Sequence, residues 1–374
     1  MHTTEDDIAQ AIAAASGPLQ IIGGGTRPVG QPAVGEALPL AGLSGVTLYE
    51  PGALTLVAKA GTPVSEIEKI LAAENQRLAF EPMDFRTLMG TDGTPTIGAV
   101  VAGNVSGPRR IAVGACRDFL LGVRFVDGSG QVVKNGGRVM KNVTGYDLVK
   151  LMCGAYGTLG ALTEVSLKVM PMDETSTTLR YAGQDVAQSV ALMSAALGTP
   201  FEVTGAARKN GDTLLRLEGF AGSVAYRVAE LQKRLASFGT AEEITDAKAQ
   251  NDLWTAQRDV TRFADRAVVW RVSLRPSHAA GFVEGIDGID VDLDWGGGLL
   301  WIAAQDGADH EAIHHSLQDA AAKTGGHATL IKGPDALRAA VPTFQPQEPN
   351  LAAITKGLRA KFDPRGILNT GVMI

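Results

Sequence analysis

The stretch QIIGGGTRPVG, residues 20–30, constrains this chain more than any other segment, because two β-branched residues run straight into three glycines. Ile21 and Ile22 favour a strand. Gly23, Gly24 and Gly25 then permit a backbone path closed to other residues and leave their amide N–H groups accessible. A strand entering glycines is how a Rossmann dinucleotide fold begins, with G-x-G-x-x-G opening a helix over a pyrophosphate. Here Pro28 stands at the third glycine position, and no helical period follows for more than twenty residues. No βαβ unit can form, so Glu50 cannot act as the ribose-binding acid of a second strand. Two readings of the glycines remain: a plain tight turn, or a run of amide donors from Gly23 to Thr26 that makes an anion-binding concavity.

The remaining pattern predicts an α+β chain of two domains, since 374 residues exceed what one core fills and 45% of them are hydrophobic. Thr4 with Asp7 three residues later predicts a capped helix with Ile8, Ala11, Ile12 and Ala15 on one face. LTLVAKAG reads as a strand, followed by Thr62 as N-cap, Pro63 at the first helical position, and an apolar face of Val64, Ile67 and Leu71. Residues 30–51 read as short strands and turns. Residues 81–115 recur in Gly and Pro and are too apolar for a solvated linker, which suits backbone that approaches a ligand closely. FLLGVRFVDGSGQVVKNGG is a hairpin around DGSG, YDLVKLM a short helix, and LTEVSLKVMP a strand with Thr163, Val165, Leu167 and Val169 on one face. From residue 176 the pattern becomes βαββαβ, the ferredoxin-like order, and after a linking helix around NDLWTAQRDVTRFA a similar order recurs through DVDLDW, LLWIAA and HATLIK. The expected division is 1–172, 173–332 as two related halves over a continuous sheet, and 333–374 returning to the first domain.

Composition excludes several partners. A formal charge of -6 and 5% aromatics leave neither a basic field nor a stacking surface for nucleic acid. The N-terminus is acidic where a signal peptide is basic, and no apolar run reaches the roughly 18 residues of a membrane span, which predicts a cytoplasmic protein at most peripheral to a membrane. Cys116 and Cys153 lack CxxC spacing, so buried free thiols are expected, with no disulfide framework and no metal or iron–sulfur site from this chain alone.

Five separated segments, in order, resemble the FAD-binding domain of the vanillyl-alcohol-oxidase (PCMH-type) flavoproteins. They are IIGGGTRPVG; VAKAGTPVSEIEKIL; EPMD with PTIGAVVAGNVSGPRR and VGACRDFLLGVRFVDGSGQVV; KNVTGYDLVKLMCGAYGTLGALTEVSLKVMP; and FDPRGILNTG. The resemblance implies a PCMH-type FAD-binding domain of two α+β subdomains with a ferredoxin-like-repeat cap. KNVTGYDL and the short second domain are most similar to the FAD-binding subunits of bacterial glycolate oxidases, which assemble with a catalytic flavoprotein subunit and an iron–sulfur subunit. The resemblance further implies that Gly23, Gly24, Gly25, Thr26 and Arg27 wrap the FAD pyrophosphate through backbone donors. Thr96, Ile97 and Gly98 with Asn104, Ser106 and Gly107 would line the isoalloxazine and ribityl region, beside Pro82, Met83 and Asp84. Gly157, Gly160 and Leu162 would lie near the dinucleotide, and Asn369 would bring the C-terminus back onto the flavin. Thr26 and Arg27 offer no covalent link and no histidine lies between His2 and His278, so noncovalent FAD is expected.

Oxidation of a 2-hydroxy acid needs cations for its carboxylate and a base or metal for its hydroxyl proton. Arg258, Arg271 and Arg275 are the best clamps, and the even spacing of the last two predicts one shared strand face. The catalytic relatives carry a histidine-rich metal segment in the second domain. Here GGHATLIKGP retains His327 alone, and the adjacent His314 and His315 of a helix point apart, so no metal is expected. Three readings stay open: an FAD-binding subunit of a glycolate oxidase complex; a self-sufficient dehydrogenase for glycolate or D-lactate; or a structural subunit that has lost catalysis.

Overall fold

A computed structural model describes residues 2–32, 34–138 and 145–373, so the KNVT of KNVTGYDL lies outside the described residues. The chain divides into two compact units, one of residues 1–106, 114–172 and 346–374, the other of residues 107–113 and 173–345.

In the first unit, helix Glu5–Ala14 opens with the expected capping box between Thr4 and Asp7. Ile8 and Ile12 are fully buried against Leu19, Leu38, Val126, Ala161, Ile367 and Leu368, which at roughly 2 kcal/mol per buried isoleucine anchors this end of the core. The strands are β1 (Leu19–Ile22), β2 (Glu36–Pro39), β3 (Val46–Glu50), β4 (Thr55–Lys59), β5 (Gln76–Arg77), β6 (Leu120–Val126), β7 (Val132–Gly136), β8 (Ala161–Lys168) and β9 (Met170–Pro171). β3-β4-β8-β6-β7 form one antiparallel sheet, with β6 and β7 as the expected hairpin. Thr163, Val165, Leu167 and Val169 are buried as predicted. β1 and β2 pair in parallel, and among the described residues no helix lies between them, which is the physical form of the failed Rossmann reading. β4 leads into helix Val64–Ala72, which buries Val64, Ile67 and Leu71. The cap differs from the expectation: Pro63 is the N-cap, and the Thr62 hydroxyl instead donates 2.7 Å to the Lys59 carbonyl and accepts from Gly45 N at 2.9 Å. The C-terminus returns to this unit, where Leu368 bridges Leu19 in parallel.

The second unit is a duplicated βαββαβ fold. Its strands are β10 (Thr175–Tyr181), β11 (Val203–Lys209), β12 (Asp212–Gly219), β13 (Glu242–Ile244), β14 (Val269–Ser273), β15 (Ile289–Asp294), β16 (Leu299–Ala304) and β17 (His327–Lys332). They make one eight-stranded sheet in the order β13-β10-β12-β11-β15-β16-β14-β17, two mirrored halves joined at Arg208 and Leu293. Helices Val186–Leu197, Ala221–Arg234, Ala279–Glu284 and His310–Thr324 bury their apolar residues against one face, with Trp270, Val272, Leu300 and Ile302 at the centre. Trp270 Nε1 donates to His314 Nδ1 at 3.2 Å, and burial, then the neighbouring His315, push the His314 pKa down to about 4.

Two boundaries differ from the sequence expectation. Residues 333–345 belong to the second unit, because helix Asp335–Ala340 buries Leu337 and the Thr343 carbonyl accepts from Leu330 N in β17 at 2.8 Å. Residues 107–113 belong to it as well. Among the described residues no helix is long and apolar enough to cross a membrane.

Candidate functional site

The glycine turn that follows β1 is pressed onto residues 93–96. A Cβ on Gly24 would lie 1.5 Å from the Thr94 carbonyl oxygen, one on Gly93 1.8 Å from the Gly24 carbonyl oxygen, and one on Gly23 2.6 Å from Thr96 Oγ1. Only glycine lets these two backbones touch. Gly25 turns outward with φ +69° and open space where its Cβ would be. The other side of the same segment is tied to the turn after β4: Val64 N donates to the Pro95 carbonyl at 2.9 Å, Ile97 N to Thr62 at 3.0 Å and Gly98 N to Ala60 at 2.8 Å. Two turns thus converge on Gly93–Thr96 and present backbone rather than side chains. Within them Thr96 Oγ1 is buried and has no hydrogen-bond partner, an arrangement a folded protein tolerates only rarely without a ligand or water to satisfy it.

Arg27 follows the turn, its guanidinium 4.9 Å from the centre of the Phe85 ring and 5.2 Å from that of Tyr156. It lies flat against Gly103, where a Cβ would come within 1.8 Å of Nη2. Crowding by neighbouring protein lowers the pKa of this half-buried group, and among the described residues no carboxylate pairs with it.

The other expected cofactor residues divide into those gathered here and those used otherwise. Asn369 is held at φ +44°; its Oδ1 accepts from Ile21 N at 2.7 Å and its Nδ2 donates to the Tyr156 carbonyl at 2.7 Å. Its amide is therefore a staple between β1, the Tyr156–Gly157 turn and the C-terminus. Asn104 Oδ1 accepts from Arg117 N at 3.0 Å, and Ser106 Oγ accepts from Cys116 N at 2.9 Å, so both side chains shape the loop through its backbone. Asp84 forms an ion pair with Arg86 at 2.7 Å, and Pro82 and Met83 are buried. Gly160 packs on Phe125, whose ring a Cβ would meet at 2.6 Å, and Leu162 pairs with Phe125 inside the sheet. Gly107 belongs to the second unit, where its carbonyl accepts from Trp295 Nε1 at 3.0 Å. Cys116 hydrogen-bonds with Cys153, and burial followed by that contact pushes its thiol pKa up.

The second unit carries charge on the sheet face opposite those four helices. Glu218 of β12 accepts from Arg109 Nε at 2.8 Å and forms a second, shorter ion pair with Arg109 Nη2, with Arg216 Nε at 3.5 Å. Burial alone would raise the Glu218 carboxyl, but the charges of Arg216 and Arg109 outweigh it and hold the group well below the usual range. This pairing fastens the Gly107–Val113 segment to the sheet. It sets Arg110 over the Trp295 ring at 4.0 Å, with Arg271 of β14 at 5.1 Å from the same ring. His327 keeps an exposed edge at the start of β17; crowding by neighbouring protein, then the charges of Arg271 and Arg110, lower its pKa.

Of the expected substrate clamps, only Arg271 stands in this cluster. Arg258 ends helix Ala247–Arg258 and binds the Asp259 carboxylate through Nε and Nη2 at 2.7 and 2.9 Å. Arg275 does not share a strand face with Arg271, because β14 ends at Ser273 and Arg275 is an exposed residue capping the turn Pro276–His278. Arg110, Trp295 and Glu218 carried no local signal: the contacts that unite them span more than a hundred residues of sequence. Among the described residues no group of three or more His, Cys, Asp or Glu could hold a metal ion.

A family described as an FAD binding domain matches residues 2–136. Over 361 residues the chain is 33% identical to the glycolate oxidase subunit GlcE of Escherichia coli, covering 95% of this chain and 92% of that one. It is 26% identical over 362 residues to the glycolate oxidase subunit GlcD of Bacillus subtilis, covering 85% of this chain and 75% of the other. Among solved structures, alkyldihydroxyacetonephosphate synthase shares the fold with a TM-score of 0.71 at 15% identity, over 98% of this chain and 74% of that one. The cofactor is accordingly FAD, and the chain belongs to the family of the glycolate oxidase subunit GlcE.

Proposed function

We propose that this chain is the FAD-binding subunit of a glycolate, or related 2-hydroxy acid, oxidase complex, working beside a catalytic flavoprotein subunit and an iron–sulfur subunit. The observation that carries this reading is the similarity to GlcE along nearly the whole chain. The cradle suits the cofactor on independent grounds: glycines at 23, 24 and 93 where a Cβ would strike neighbouring atoms, and the orphaned Thr96 hydroxyl. Gly23 to Arg27 would receive the FAD pyrophosphate, with Thr96, Ile97 and Gly98 and the backbone of Asn104 and Ser106 lining the remainder. Thr26 and Arg27 stand where neither a histidine nor a cysteine is offered for a covalent link, and the Cys116 thiol is engaged with Cys153, which supports noncovalent binding.

FAD, when bound, supplies the two-electron acceptor for oxidation of the 2-hydroxy acid. In the second unit, Arg271 and Arg110 gather positive charge of the kind that binds a carboxylate. His327, its pKa lowered, is neutral at neutral pH and could accept the hydroxyl proton. That cluster favours a second reading, a self-sufficient dehydrogenase. Co-purification of the native complex, with flavin and iron quantified per chain, tests the first: one noncovalent FAD on this chain and iron in a separate subunit are expected, and a chain without flavin rejects it. Anaerobic glycolate decides between the two. Bleaching of the isolated chain supports the dehydrogenase, and bleaching only after the partner subunits are added rejects it.

A further inference from the structure

The half-buried Arg27 guanidinium is crowded by protein, which lowers its pKa, and it receives no carboxylate among the described residues. Phe85 and Tyr156 engage it through their rings, and a cation held by ring faces keeps its N–H groups available in its own plane, where two of them match the oxygens of one phosphate. The side chain is seated rather than loose, because the missing Cβ of Gly103 is what gives the guanidinium its place. A partly desolvated cation in a fixed seat, two residues beyond a turn of accessible amides, is built for an anion.

We propose that the Arg27 side chain, and not the glycine backbone alone, holds the diphosphate of FAD, so that affinity at this site rests on a charge held in a fixed seat. The inference deepens the FAD reading above and rests on it. It separates the two kinds of donor in the turn: amides supply shape, and Arg27 supplies charge.

The test uses the full chain stripped of flavin and titrated with FAD, with ADP as a diphosphate lacking the flavin, and with riboflavin as a flavin lacking the diphosphate. Arg27→Met is expected to weaken FAD and ADP alike by roughly 10- to 150-fold, the range for a charge-assisted contact, to leave riboflavin unchanged, and to reduce the salt dependence of ADP binding. Arg27→Lys, which keeps the charge and loses the paired donors, is expected to fall between. Gly103→Ala displaces the guanidinium while leaving residue 27 intact, since its Cβ meets the end of a flexible side chain; it should reproduce the loss in a folded protein even if Arg27→Met fails to fold. ADP affinity equal to wild type in Arg27→Lys and Gly103→Ala overturns the proposal, as does a loss confined to FAD and riboflavin, which would place the charge at the flavin ring. Failure of the wild-type chain to bind FAD at all would reject the cofactor reading instead.

Discussion

The two units build their sites by opposite means. In the first, side chains are withheld: Gly23, Gly24 and Gly93 let backbone meet backbone, and the exceptions, Thr96 and Arg27, stand without protein hydrogen-bond or ionic partners among the described residues. In the second, side chains do the work, and charge is positioned by charge, with Glu218 holding Arg109 so that Arg110 and Arg271 meet at Trp295. A site made of missing atoms tolerates no additions, whereas a site made of buried ion pairs tolerates no deletions. The chain offers a direct means of observing the two separately, because all four tryptophans, Trp254, Trp270, Trp295 and Trp301, lie in the second unit.

The largest effect should come from an addition. Gly24→Ala places a methyl 1.5 Å from a carbonyl oxygen that cannot step aside, and is expected to abolish FAD retention and to lower stability by about 3 kcal/mol or more. Gly25→Ala, beside it in open space, should lower stability by only about 1 kcal/mol for its positive φ. Equal effects of the two in urea denaturation would mean that the glycines merely turn the chain. Next comes a deletion: Glu218→Gln leaves Arg109 and Arg216 facing no carboxylate at that position, and should cost about 3 kcal/mol seen in tryptophan emission, with FAD affinity kept. A parallel fall in FAD affinity would break the contrast.

Acid should act on the second unit first. An unfolded histidine binds a proton below about pH 6.5, whereas folded His314 binds one only near pH 4. Across that window the unfolded state holds more protons, so stability falls as pH falls, by about 1.4 kcal/mol per unit at most. Glu218, held low in the folded state, adds a loss below its unfolded value of about 4.5. Urea midpoints read by tryptophan emission at pH 7 and 5.5 should differ in this direction; an unchanged midpoint would show that His314 is not buried neutral. The smallest effect is the subtlest. Thr96→Val removes an orphaned hydroxyl at constant shape, so the chain without flavin should become slightly more stable while FAD binding weakens about 5-fold. A decrease in both would mean that the hydroxyl has a partner within the protein.

Much of the fold was legible because local periodicity carries it. The Thr4 capping box, the helix face of Val64, Ile67 and Leu71, the β6–β7 hairpin and both βαββαβ repeats follow from spacings of two or three to four residues. The cap at Thr62 was misread because a threonine before a proline has a competing use, here a hydrogen bond back to Lys59. Parity misplaced Arg275 because even spacing means a shared face only while the strand continues, and β14 stops at Ser273. The glycine turn was legible because glycine triplets in apolar surroundings are unusual; the charged cluster was not, because Arg110 and Glu218 look like any other charged residues until the chain folds.

By itself the sequence determined the class of fold, the place of the glycine turn and the exclusion of a Rossmann helix, since each depends on what neighbouring residues permit one another to do. Tertiary structure alone decided that Arg109 meets Glu218, that Arg110 and Arg271 share one tryptophan, that Asn369 staples the C-terminus instead of offering its amide outward, and that Arg27 has a seat but no carboxylate among the described residues. The physical reason is the same in each case: the energy of a buried charge or amide depends on which groups face it, and those groups are brought there from distant parts of the chain by the packing of the core.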